Sequence, residues 1–176
     1  MKNYDGLIPL SIMVNAAETD DQVGALLRFH LLIERLLVVF LEFKISEKKL
    51  DQVPRLFGKK IEKAESLDLP KKICDVIRCI NDLRNSIAHI INGKFTDTLD
   101  NEILQDLKNK VGELHWVKNI GGIDDVQLSL PLKSGEKVFN INENPVTDLI
   151  ILALSLLVEM TQYIKSLERL DYSKLK

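Results

Sequence analysis

Three polar residues of complementary chemistry, Arg84, Asn85 and His89, stand in the stretch Asn81-Asp82-Leu83-Arg84-Asn85-Ser86-Ile87-Ala88-His89. An imidazole takes or gives a proton near neutral pH. A guanidinium stabilises charge building on a phosphate. A carboxamide orients the backbone or a substrate oxygen. Together they suffice to cleave RNA, because the 2′-hydroxyl supplies the nucleophile and neither a serine, a cysteine nor a metal ion is required. The same residues have a structural reading. Arginine and histidine at a helix C-terminus satisfy its last carbonyls and complement its dipole.

The spacing predicts a helix over 71–89 beneath these residues. Ile73, Val76, Ile77, Ile80, Leu83 and Ile87 form one apolar stripe. Cys74, Arg78, Asn81, Asn85 and His89 follow at steps of three and four and form a polar one. Asn85 and His89, four apart, share a face. Arg84 lies about 100° round, within reach of its long side chain. Pro70 suits the first turn, and Asn92-Gly93 signals a turn beyond the end.

A second helix, expected over 22–43, must face this one. Asp20 and Asp21 mark its start, and Val23, Leu26, Leu27, Ile33, Leu37 and Phe40 recur at helical spacing. Leu31, Leu36, Val38 and Val39 make it apolar on further faces, as a central helix is. It carries His30 and Glu34, one turn apart. A carboxylate there calls for a partner if buried. Arg84 is one candidate; a neighbouring surface group or solvent is the other.

The remaining expectations are a lysine-rich helix over 55–66, a helix over 97–116, a β-hairpin and a last helix over 145–170. The hairpin is read from alternation in Val126, Leu128 and Leu130, less cleanly in Val138 and Ile141, around Lys133-Ser134-Gly135-Glu136, with Pro131 confining it to an edge. Asn144 and Pro145 are suited to cap and first-turn positions. The fold class is therefore all-α: one domain over 1–176, an up-and-down helical bundle with a small irregular or β-hairpin insertion, about 94–144, before the last helix.

Composition is that of an ordinary globular chain: 176 residues, 45% hydrophobic, 28% charged and a net charge of −2. This excludes bulk electrostatic attachment to nucleic acid or acidic membranes, though not a local basic face. From Lys44 to Arg84 there are 11 basic and 7 acidic residues, and from Phe95 to Ile150 there are 5 and 10. Lys59, Lys60, Lys63, Lys71 and Lys72 are either a solvated helix face or, beside Arg84, a weak RNA-binding track.

Other chemistries find no support. His30, His89 and His115 fall on separate elements without metal-ligand spacing. Gly121-Gly122 has neither a preceding strand nor a Gly-Lys-Ser/Thr tail. Cys74 and Cys79 lie on different faces of one helix, which argues against a disulfide between them and fits a reducing compartment. No cofactor is expected. The run Leu7–Val14 followed by Asn15-Ala16-Ala17-Glu18 loosely mimics an export signal, but Asp5 and Pro9 interrupt it. The longest apolar run, Leu149–Val158, is shorter than the ~20 residues of a spanning helix. The expectation is a cytoplasmic chain without membrane attachment.

Arg84-Asn85-Ser86-Ile87-Ala88-His89 resembles the Arg-x4-6-His motif of the HEPN superfamily (higher eukaryotes and prokaryotes nucleotide-binding) in its "RN…AH" form. The resemblance covers about 20–91 and, more loosely, the last helix. It implies a metal-independent endoribonuclease of the kind found in toxin–antitoxin, CRISPR and antiphage systems, working as a homodimer whose two motifs meet in one cleft. By that resemblance His89 is acid or base, Arg84 holds the scissile phosphate and Asn85 organises the site. Glu34 and His30 are then the polar residues that the first long helix turns toward the motif, with Asn81 and Arg78 in support. A departure is Ile91, where relatives paired with nucleotidyltransferase antitoxins often carry tyrosine; silencing by nucleotide transfer onto that tyrosine is not expected. The chain also resembles the mannitol operon repressor family, which implies a non-catalytic regulatory or interaction domain instead.

Overall fold

In the computed structural model, which describes residues 10–18, 21–45, 52–88 and 98–174, the chain is an all-α bundle carrying one two-stranded hairpin before its last helix. In chain order the elements are α1 (Leu10–Ala17), α2 (Gln22–Lys44), α3 (Phe57–Glu65), α4 (Lys71–Ala88), α5 (Asn101–Gly112) and α6 (His115–Asn119). A 3-10 turn (Ile123–Asp125), β1 (Gln127–Leu132), β2 (Gly135–Asn140) and α7 (Pro145–Lys174) follow.

α2, α4 and α7 make the core. α2 starts where the Asp21 carboxylate accepts from the Gly24 N–H at 2.7 Å. It buries Leu26, Phe29, Ile33, Leu36, Leu37, Phe40 and Leu41, so apolar side chains leave it in more than one direction. α7 lies against it and also contacts α1, α4, α5, α6 and β2. Asn144 Oδ1 accepts from the Thr147 N–H at 2.9 Å, and Pro145 opens the helix without needing a donor. The stretch Pro145–Leu167 has the length and hydropathy of a membrane-crossing helix, but 61% of its apolar window is buried within the fold. It is a core helix, all-round apolar because it has neighbours all round.

α4 uses the stripe read from its sequence. Ile73, Val76, Ile77, Ile80 and Leu83 are buried, and Ile87 is half-buried. Cys74, assigned above to the polar stripe, is instead fully buried, and Cys79 nearly so; both thiols are free. The small thiol packs as an apolar group between the stripes. Burial first, and nearby carboxylates second, push both thiols up to about 12.

Residues 10–17, for which the sequence suggested no element, form α1, which packs on α2, α7 and β1 and buries Met13 and Ala16. Two expectations need correction. The helix expected over 97–116 is two helices. Asp100 caps α5 by accepting from Glu102 and Ile103 N–H, and Leu114 then turns extended (φ −65, ψ 146), with its side chain buried. α6 begins anew, its Trp116 N–H donating to Glu159 of α7 at 2.7 Å. In the hairpin, the buried residue of β2 is Phe139, paired with Leu128, whereas Val138 pairs with Ser129 and is half exposed. One residue of register decides which side chain meets the core. Lys133 and Ser134 make the connection, and Gly135 takes φ +118 at the return.

Candidate functional site

α2, α3 and α4 pack against one another, and most of the polar residues singled out from the sequence converge between them. His30 and Glu34 are one turn apart on α2. From α4, Asn81 and Arg84 lie close enough to His30 to influence its ionisation. Arg84 is exposed, and its Nη1 donates to the Asn85 Oδ1 of its own turn at 3.1 Å. That bond holds both side chains, and among the described residues the rest of the guanidinium fork makes no hydrogen bond. His89 lies outside the described residues, as does Ile91.

Glu34 does not pair with Arg84. Its Oε1 accepts from the Lys60 Nζ of α3 at 2.5 Å, and the same ammonium donates to the Arg55 carbonyl at 3.1 Å. Lys60 is thereby removed from the expected RNA track, with only 8% of the residue exposed. The reason is helical spacing. Phe57, Lys60, Ile61 and Ala64 share one side of α3, and that side faces the bundle. Glu34, partly exposed, is the nearest anion to a charge that cannot stay buried alone.

His30 is 8% exposed, and its ring lies 4.2 Å from the Phe57 ring, centroid to centroid. Among the described residues its Nε2 has no hydrogen-bond partner. Burial holds the imidazole below its ordinary pKa of 6.5; Glu34 opposes this, Arg84 reinforces it, Asn81 opposes it and Lys60 reinforces it. The ring is therefore favoured as the neutral base. Phe57 was not anticipated as part of the site, although its place on the same side of α3 as Lys60 was readable.

The structure does not bring the other candidates here. Arg78 turns its guanidinium to Glu65 of α3 and, at 3.0 Å, to Asp75 of its own helix. The hydrogen bond to Glu65 chiefly raises its pKa. Its place is about 9 Å of helix rise before Arg84, so the supporting role assigned to it is not seen. Lys59 pairs with Glu62, Lys71 with Asp75 and Lys72 with Glu113; Lys63 is half-buried. Among the described residues, Lys59, Lys60, Lys71 and Lys72 are engaged in ion pairs and do not form a free cationic track, although exposed pairs of this kind are weak and exchange partners readily. Among the described residues no group of His, Cys, Asp and Glu side chains is arranged to hold a metal ion.

What the arrangement can do follows from its layering. A buried imidazole and a partly buried ion pair hold α3 against α2. Beside them α4 presents an accessible guanidinium and a carboxamide at its C-terminal end. A phosphodiester can be held there by bidentate hydrogen bonds. Comparison of the chain with family models, with curated proteins and with solved structures gave no match.

Proposed function

We propose that this chain is a HEPN-type endoribonuclease that cleaves RNA without a metal ion, as a cytoplasmic homodimer of the toxin or antiphage and stress-defence kind, open to control by an antitoxin or other protein partner. The supporting observation is the exposed Arg84 guanidinium, hydrogen-bonded to Asn85 and otherwise open among the described residues, at the end of α4 where the motif continues to His89. Arg84 grips the scissile phosphate and neutralises charge in the transition state. A base removes the proton from the 2′-hydroxyl, whose oxygen attacks phosphorus. The P–O5′ bond breaks, and an acid returns a proton to the leaving 5′-oxygen. The products are a 2′,3′-cyclic phosphate and a 5′-hydroxyl. His89 carries one of these proton transfers and Asn85 orients the phosphate or the ring.

The test is purified protein on single-stranded RNA in EDTA, beside Arg84→Ala and His89→Ala. Cleavage by the parent and its loss in both variants is the expected result. Cleavage that needs added metal, or that survives His89→Ala, removes the reading.

A second reading is favoured by the ion pairs of Lys59, Lys60, Lys71 and Lys72. A surface that neutralises its own lysines suits a non-catalytic regulatory or interaction domain of the same fold, similar to the mannitol repressor type. It expects intact RNA and a stable protein complex that tolerates His89→Ala.

A further inference from the structure

His30 is set where a proton would be hard to accommodate. Its ring is buried, its Nε2 has no partner among the described residues, and Phe57, the first residue of α3, lies against it at 4.2 Å. The charged groups facing it are Glu34 one turn along α2, Lys60 from α3 and Arg84 from α4; the Asn81 amide of α4 is the other polar neighbour. Among the described residues, two cations and one anion lie around the ring. That one anion is already in use. The Glu34 carboxylate holds Lys60 at 2.5 Å, and Lys60 in turn holds the Arg55 carbonyl at the entry to α3. Among the described residues, the polar clip of α3 onto α2 thus runs through a single carboxylate.

We infer that His30 is a pH-sensitive latch on α3: protonation of its ring sets it in competition with Lys60 for the Glu34 carboxylate and loosens α3, with its Arg55–Leu56 entry, from α2. The physical cause is the count of charges. A buried imidazolium needs an acceptor, and the only anion among its described neighbours, Glu34, is four residues away on its own helix, the spacing at which side chains meet. Whatever share of Glu34 the ring takes, Lys60 loses, and a third positive charge repels both Lys60 and Arg84. The N-terminal end of α3 adds a positive helix dipole on the same side. The proton comes from solvent on acidification, and the latch closes again when it leaves.

The inference does not depend on nuclease activity, and its test does not read RNA. Hydrogen exchange of the full chain is followed by mass spectrometry at about pH 7.5 and about pH 5.5, corrected for the intrinsic pH dependence of exchange. Peptides covering 55–65 should exchange about tenfold faster at the lower pH, beyond any change in the middle of α7. In His30→Gln, which cannot titrate, the acceleration should vanish. In Glu34→Gln, α3 should already exchange fast at the higher pH and change little on acidification. Equal protection of α3 at both pH values in the parent overturns the latch. So does the same acceleration in His30→Gln, which would place the titrating group elsewhere. Should circular dichroism show His30→Gln unfolded, Glu34→Gln decides alone: a flat profile supports the latch and parent-like acceleration refutes it.

Discussion

Leu83 and Arg84 are adjacent on α4 and face opposite environments, which separates packing from chemistry at the scale of one residue. Leu83 is fully buried; truncation to alanine should cost about 2–5 kcal/mol in urea unfolding. Arg84 is exposed and bonded to Asn85 within its own turn. Arg84→Ala should change stability by no more than about 0.5 kcal/mol while reducing RNA cleavage by about 100-fold or more. A large loss of stability in Arg84→Ala would make the residue structural, whatever happened to cleavage. The Lys60–Glu34 pair behaves differently. Lys60→Ala strands a partly exposed carboxylate and should destabilise by about 2 kcal/mol, below the value for a fully buried pair because Glu34 retains water. Lys60→Met combined with Glu34→Leu should recover most of that loss. A double-mutant cycle measures the coupling, and strictly additive losses would show that the pair contributes nothing.

At the scale of elements, Asn144 is a single side chain on which the start of a 30-residue helix rests. Asn144→Ala should lower stability by about 1 kcal/mol, and Asn144→Asp, which keeps an acceptor, should lose far less. A loss equal in both variants would mean that the cap is not the cause. This cap was legible in the sequence because Asn-Pro before an apolar run has few other readings. The ends of α2 and α4 were legible for similar local reasons, Asp21 and Pro70 among them. The break between α5 and α6 was not, because nothing local forces it. Leu114 leaves helical geometry to bury its side chain, and the new helix start is stabilised by Glu159, 43 positions away. The partner of Glu34 stayed open in the sequence for a related reason. Both arginine and lysine could satisfy it, and the choice fell to the geometry of α3, which turns Lys60 inward with Ile61 and Ala64. That His30 and Asn81 lie near Arg84 was expected from the resemblance carried by the Arg84–His89 motif, and helical period alone would not have placed Arg84 there; His89 lies outside the described residues.

For the whole molecule these local environments sum to a pH dependence of stability that separates into two windows. His30 is held below 6.5 in the folded chain, chiefly by burial. The unfolded chain therefore binds this proton first as pH falls, and stability declines from about 6.5 downward until the folded ring also titrates. Glu18, Asp106, Glu113 and Glu143 are held below 4.5, 3.8, 4.5 and 4.5 by hydrogen bonds, from Lys133, Lys110, Lys118 and Asn140 respectively. Asp75 is also lowered: burial opposes this, but Lys71 and Arg78 outweigh it. Their contribution is present above those values and lost as pH falls through the folded ones. Asp148 runs the other way. Burial raises it above 3.8, so it favours the folded chain in acid and opposes it as pH rises. Urea midpoints of the full chain should therefore fall in two steps on acidification, one beginning near 6.5 and one below about 4.5. His30→Gln should flatten the first step and leave the second in place. A parent curve that is level down to about pH 5, or a first step unchanged by His30→Gln, would show that this buried ring does not govern the stability of the bundle near neutrality.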